Sequence, residues 1–334
     1  MTDLIHFTPD GLYCSAGDFT IDPRRPVKRA VITHAHADHA RGGSGSYLCA
    51  EDSQPILQHR LGAKARIQTL AYGEVRTVNG IRLSLHPAGH IRGAAQVRLE
   101  KHGFVGVVSG DYKTAHDPTC MPLEPQSCHS FISESTFGLP IFKWPSTDEV
   151  IREIQAWWAE NQARNRTSIL FAYALGKAQR ILAGLDAAMG PILTHGAVET
   201  INRLYREAGV DLPPTQVVEE ANDTARLAKA LVLAPPSADN PGWMRRFTDS
   251  SRAFASGWMR IRGHRRRRAV DRGFVLSDHA DWEGLVSTIV GSGAERIHLT
   301  HGYAPALARW LRERGISAAA LKPGDVGVMQ RGGT

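Results

Sequence analysis

Residues 33–39 read Thr-His-Ala-His-Ala-Asp-His, so His34, His36, Asp38 and His39 crowd four metal-ligating side chains into six residues. A core gains nothing from that density, because a buried imidazole or carboxylate without a partner costs free energy. Borderline cations such as zinc, in contrast, take neutral imidazole and carboxylate together. The preceding residues, Lys28-Arg29-Ala30-Val31-Ile32-Thr33, have an apolar centre that predicts a short buried strand. A strand that runs out into ligands sets them on the rim of a sheet. In extended backbone His34 and His36 share one face, while Asp38 and His39 fall in the turn beyond. One segment can therefore serve two cations. The alternative is a polar loop with chance histidines.

Other segments repeat the pattern of a strand running into a ligand. Pro87-Ala88-Gly89-His90 follows the alternating Ile81–Leu85, Val108-Ser109-Gly110-Asp111 follows the apolar Phe104–Val108, and Leu299-Thr300-His301-Gly302 ends a late strand. A dinuclear arrangement follows: one cation on His34, His36, His90 and Asp111, a second on Asp38, His39, Asp111 and His301, with Asp111 bridging. Two divalent cations, zinc by the histidine content or manganese, lower the pKa of a bound water and neutralise charge building on a phosphate. Asp22, just before Pro23, reads either as an acceptor that orients a histidine ligand or as a turn residue. His-x-His-x-Asp-His resembles the signature of the metallo-β-lactamase superfamily.

The 334 residues are 42% hydrophobic, enough for a sizeable core, and no apolar run approaches the ~20 residues of a membrane span. Cys14, Cys49, Cys120 and Cys128 contain no Cys-x-x-Cys pair, and the N-terminus shows no basic region followed by an apolar core. No disulfide framework or secretory signal is expected, and the cytoplasm is the expected compartment. Of the net charge of +7, the window Arg245–Arg272 carries about +8, with ten arginines and no lysine against Asp249 and Asp271. Guanidinium pairs bidentately with phosphate, so a concentrated arginine face points to a polyanion partner; a solvated surface loop is the alternative.

To about residue 145 the chain reads as strands and turns. From Thr147 a helix begins, with Val150, Ile151, Ile154, Trp157 and Trp158 at helical spacing. Strand and helix then alternate through Ser168–Tyr173, Lys177–Met189, Pro191–Thr194 and Val198–Ala208, which predicts a small α/β unit with a parallel sheet. Strands return at Gly273–Ser277 and Arg296–Thr300, before a closing helix Ala304–Arg314. The layout is one domain interrupted by another: residues 1–145, an insertion at 146–254, and a return segment at 255–334.

Further motifs resemble the β-CASP nucleases, a group with an α/β domain inserted into the metallo-β-lactamase fold. Ser133-Glu134-Ser135-Thr136-Phe137-Gly138 resembles their first extra motif, with Glu134 its acid. Gly176-Lys177-Ala178-Gln179-Arg180 resembles a Gly-Arg-Ala-Gln element. Ser277-Asp278-His279-Ala280-Asp281 resembles a Ser-Ala-His-Ala-Asp motif, with His279 its histidine. The resemblance implies an α/β fold, a metallo-β-lactamase αββα sandwich with an inserted β-CASP domain. It also implies that Glu134 and His279 hydrogen-bond each other near a scissile phosphate. His279, Glu134, Asp38 and Asp22 are then the expected catalytic group, with His279 stabilising an oxyanion and protonating the leaving oxygen. Ala255-Ser256-Gly257-Trp258-Met259 and the arginines after it look most like the bacterial ligase-associated exonucleases, related to crosslink-repair enzymes acting from 5′ ends. Ser256, Gly257, Arg260, Arg262, Arg265, Arg266, Arg267, Arg268 and Lys177 are the expected nucleic-acid contacts, though a tight turn accounts equally for Ser256 and Gly257. The implied activity is a DNA exonuclease working in repair alongside a ligase or helicase. Glu134 and His301 resemble the choices of the RNA-processing branch, which leaves a ribonuclease as the alternative; a small-molecule hydrolase or a non-catalytic binding module would not need both the ligand set and the arginines.

Overall fold

In a computed structural model, residues 4–221, 224–263, 270–322, 324–325 and 329 are described. They form two compact units, one comprising residues 1–142 with 279–334 and the other residues 143–278.

The first unit contains two sheets among the described residues. One runs in the order β1 (His6–Thr8), β2 (Gly11–Cys14), β3 (Phe19–Ile21), β4 (Ala30–Val31), β5 (Tyr47–Ala50), β6 (Ile67–Leu70). The other runs β19 (Ala318–Ala320), β18 (Arg296–Thr300), β11 (Ser130–Glu134), β10 (Phe104–Val108), β9 (Ala95–Lys101), β8 (Ile81–Pro87), β7 (Val75–Val78). A single apolar cluster draws Phe7, Leu12, Ile21 and Leu48 from the first sheet and Leu83, Val97, Leu99 and Ile132 from the second. Among the strands that feed it, β8 buries Ile81, Leu83 and Leu85 while Arg82 faces out, whereas β10 and β11 are buried at every position.

Direction within the second sheet positions the site. β10, β11 and β18 are mutually parallel. β8 runs the same way, because it is antiparallel to β9 and β9 is antiparallel to β10. All four therefore end on one edge, and in open α/β sheets the carboxyl edge is where ligands bind.

The second unit has a wholly parallel sheet in the order β14 (Gln216–Val217), β13 (Ile192–Thr194), β15 (Leu231–Ala234), β12 (Thr167–Phe171), β16 (Ser250–Ala255), β17 (Arg272–Phe274). The helix Thr147–Ala163 begins at Ser146, whose hydroxyl accepts from Glu149 N, and buries Val150, Ile151, Ile154, Trp157 and Trp158. Beside the expected insertion at 146–254, the second compact unit spans Lys143–Asp278, with β16 paired to β12 and β17 to β16. The expected strand at Gly273–Ser277 is Arg272–Phe274, and the helix expected over Lys177–Met189 stops at Gly184.

Among the described residues no helix is long and apolar enough to cross a membrane. The four cysteines are free thiols. Burial pushes Cys14 up to about 11 and Cys49 and Cys128 to about 12, so these three are not poised to react near neutrality.

Candidate metal centre and acid–base pair

His34 and His36 leave the end of β4 as expected, with the loop between them pinned by Arg60, whose Nε donates to Ala35 O at 2.6 Å. His90 follows the Gly89 turn below β8. Gly89 has φ +74°, and a Cβ there would collide with the Lys113 carbonyl oxygen, so only glycine fits. Asp111 follows β10, Glu134 ends β11, and His301 follows β18. Ser135 locks the last two strand ends together, its hydroxyl meeting the carbonyl oxygens of Thr300 and His301 at 2.8 and 2.7 Å.

Three sets of candidate ligand atoms among the described residues converge on Asp111, the third joining it to Glu134 and His279. One atom each of His34, His36, His90 and Asp111 lie within 4.8 Å of one another, and so do atoms of His39, Asp111 and His301. His36 Nδ1 is 3.1 Å from His34 Nε2 and 3.0 Å from His90 Nε2. Asp111 Oδ2 is 3.5 Å from Nε2 of both His34 and His39 and 3.8 Å from Nε2 of His90. Tetrahedral ligands at about 2.0–2.1 Å from zinc stand roughly 3.3 Å apart, so this spacing suits a cation. Burial lowers His34 well below the usual imidazole value, keeping its lone pair available.

His39 shows how one ring is readied for a ligand. Its Nδ1 lies 2.7 Å from Asp22 Oδ2, while its Nε2 is buried with no hydrogen-bond partner among the described residues. Such an orphaned nitrogen beside a carboxylate fits a metal ligand. Burial opposes charge on His39, but Asp111 and Asp22 outweigh it and hold the ring well above its usual value. Burial likewise disfavours charge on Asp111, yet His39 and His279 keep it well below the usual carboxylate range. A proton and a cation thus compete for the same pair. Asp22 also accepts from Thr33 N at 2.8 Å and Thr33 Oγ1 at 2.6 Å, the arrangement of an orienting acceptor.

Asp38, expected on the second cation, stands outside the convergent group: its side chain is 68% exposed and its Oδ2 lies 3.7 Å from His39 Nε2. A cavity of about 160 Å³ opens beside it, with His39, His301, Asp22 and Arg24 in its wall.

Beside Asp111 sits an acid–base pair. His279 Nδ1 lies 2.8 and 3.0 Å from the two carboxylate oxygens of Glu134, and 4.0 Å from Asp111 Oδ2. Glu134 is 1% exposed, its Oε1 accepting from Tyr112 N at 2.7 Å. The Tyr112 carbonyl in turn accepts from Ala280 N at 2.7 Å, so one residue braces both partners. The carboxylate engages Nδ1 and so fixes the orientation of the ring. Tyr112, Thr33 and Ser135 are the supports that sequence reasoning missed; their only signal is adjacency to Asp111, His34 and Glu134.

The expected nucleic-acid contacts divide. Arg260 and Arg262 are exposed, and Arg265, Arg266, Arg267 and Arg268 lie outside the described residues. Ser256 and Gly257 are buried, the Ser256 hydroxyl accepting from Trp258 N to start a short 3-10 turn. Lys177, expected among these contacts, is 3% exposed, with its Nζ 3.0 Å from Asp278 Oδ2.

No family model matches the chain. It is similar to a probable DNA ligase of Opitutus terrae, 32% identical over 314 residues, which is 93% of this chain and 30% of that protein. It is 30% identical over 165 residues to the endoribonuclease YSH1 of Candida albicans, covering 48% of this chain and 18% of the relative. It is 27% identical over 163 residues to the human DNA cross-link repair 1A protein, covering 46% and 16%. The chain spans under a third of the length of each. These relatives support the resemblance to β-CASP nucleases of the metallo-β-lactamase type that the motifs carry.

Proposed function

We propose that the chain is a metal-dependent β-CASP nuclease, a metallo-β-lactamase αββα sandwich with an inserted domain, that shortens DNA from a 5′ end during end processing. The observation that carries the reading is the placing of His279, held by buried Glu134, 4.0 Å from the carboxylate on which both ligand groups converge. Two divalent cations, zinc by the histidine content or manganese, would supply an acidified water and neutralise charge on the phosphate. His34, His36, His90 and Asp111 would hold one, and His39, Asp111 and His301 the other, with Asp38 at its edge. Glu134 keeps the His279 ring oriented with its Nδ1 proton engaged, so that Nε2 faces the oxyanion and hands a proton to the leaving oxygen. Arg260, Arg262 and the tract Arg265–Arg268 would track the backbone by phosphate pairing.

DNA is favoured by the probable DNA ligase, which this chain matches over 93% of its own length, and by the cross-link repair relative. The same similarity favours an association with ligation, through a ligase or helicase. The endoribonuclease relative, together with Glu134 and His301, supports an RNA substrate as the second reading. The deciding experiment offers the metal-loaded protein end-labelled single-stranded DNA and RNA of one sequence, each with a 5′-phosphate or a 5′-hydroxyl. Stepwise shortening of 5′-phosphorylated DNA is expected; preference for RNA selects the second reading, and inertness toward both rejects the nuclease.

A further inference from the structure

Lys177 and Arg180 are buried cations to which the proposed chemistry gives no task. They are 3% and 1% exposed. As the first and fourth residues of the helix Lys177–Gly184 they share a face. Lys177 Nζ lies 3.0 Å from one carboxylate oxygen of Asp278 and Arg180 Nη1 lies 3.3 Å from the other. Arg180 Nη1 also donates to the carbonyl oxygen of Ser277 at 2.6 Å. The helix start is itself fixed, because Gln179 Oε1 accepts from Gly176 N at 2.8 Å and Gln179 Nε2 donates to Ala174 O at 3.0 Å. Taking a carboxylate and two cations out of water is costly, and a buried ion pair is weak evidence for stability. What the cluster does achieve is a fixed backbone at residues 277 and 278, and the next residue is His279. Asp278 is also the position at which Ser277–Asp281 departs from the Ser-Ala-His-Ala-Asp pattern it resembles.

We propose that Lys177 and Arg180 are positioning residues for His279. By gripping Asp278 and the Ser277 carbonyl, they fix the peptide from which the His279 ring projects. The proposal rests on the nuclease reading for what His279 does, but the geometry it asserts stands without turnover.

The test compares wild type, Asp278→Asn, Lys177→Met and the Lys177→Met/Asp278→Asn double variant, all metal-loaded. Asp278→Asn keeps the side-chain shape and removes the charge that both cations grip. It is expected to lower kcat about 10–10²-fold, the scale of a 1 Å misplacement, with KM and metal content unchanged. The double variant is expected to match Asp278→Asn alone, since partners in one contact are not additive; it removes a cation together with the carboxylate and so covers a single variant that fails to fold. Nitrogen-15 spectra of labelled histidine should show the His279 Nδ1 proton losing its fixed hydrogen bond in each variant. Wild-type kcat in Asp278→Asn, an unchanged His279 proton signal, or loss of metal along with rate would overturn the proposal. If wild type cleaves neither DNA nor RNA, the nuclease reading fails on its own, and the His279 signal still decides whether the grip positions the ring.

Discussion

The Nδ1 atom of His39 lies 2.7 Å from Oδ2 of Asp22, a residue that also takes two hydrogen bonds from Thr33. That contact settles which nitrogen of His39 remains for a ligand. It also ties the ring to a residue at φ +45°, a left-handed conformation that Asp tolerates better than most.

Asp22→Ala is therefore expected to weaken the second cation about 10–100-fold while leaving the first in place. Metal content after graded chelation measures both. Equal loss of the two would mean that Asp22 supports the loop as a whole.

Asp111 stands at the meeting point of every ligand group found among the described residues. Asp111→Asn is expected to abolish cleavage yet leave nucleic-acid binding within a few-fold of wild type, measured by fluorescence anisotropy. Retained cleavage removes Asp111 from the bridging role.

His279→Ala is expected to lower turnover by about 10²–10⁴-fold with metal content unchanged. Glu134→Gln is expected to fall in the same range, because it loosens the same ring. A drop in bound metal for either variant would reassign the pair as ligands.

Substrate affinity is expected to fall steeply with salt, log K dropping by roughly 0.7–0.9 per phosphate contact for each unit of log salt concentration. A titration from low to physiological ionic strength measures the slope. A flat response would exclude a polyanion partner.

In the second unit, Glu199 gathers Thr194, Asn202, Arg206 and Thr215 at 2.6–3.0 Å. Burial disfavours its charge, but these donors outweigh burial and lower its pKa. A lowered folded value means the contribution is complete above the unfolded carboxylate value of about 4.3 and is lost as pH falls through the folded value beneath it. Glu199→Gln is expected to cost about 1–3 kcal/mol at neutral pH and to flatten the acid limb of stability. Urea unfolding between pH 3 and 7 measures both effects.

The candidate ligands are legible because each follows an apolar run, and a strand's end is a local property: Asp111 after Phe104–Val108 and His301 after Arg296–Thr300 need no tertiary knowledge. The Glu134–His279 contact spans 145 residues and entered only through the motif resemblance. Lys177 was read as a phosphate contact because a charge does not announce its partner; Asp278 lies a hundred residues away. The end of the second unit is not legible in the sequence because Ser250–Ala255 and Arg272–Phe274 have the character of strands in either unit, and strand propensity does not name the sheet.

Chain order has a consequence for biogenesis. His34, His36, His90, Asp111 and Glu134 all precede the second unit, which begins at Lys143, whereas His279 and His301 follow it. At ~5–20 residues per second, translation of the 145 residues from Glu134 to His279 takes on the order of ten seconds. On the proposed reading, a growing chain would then carry His34, His36, His90 and Asp111 while lacking both His279 and His301. Cation capture would precede competence, and an interrupted translation product would sequester metal without cutting.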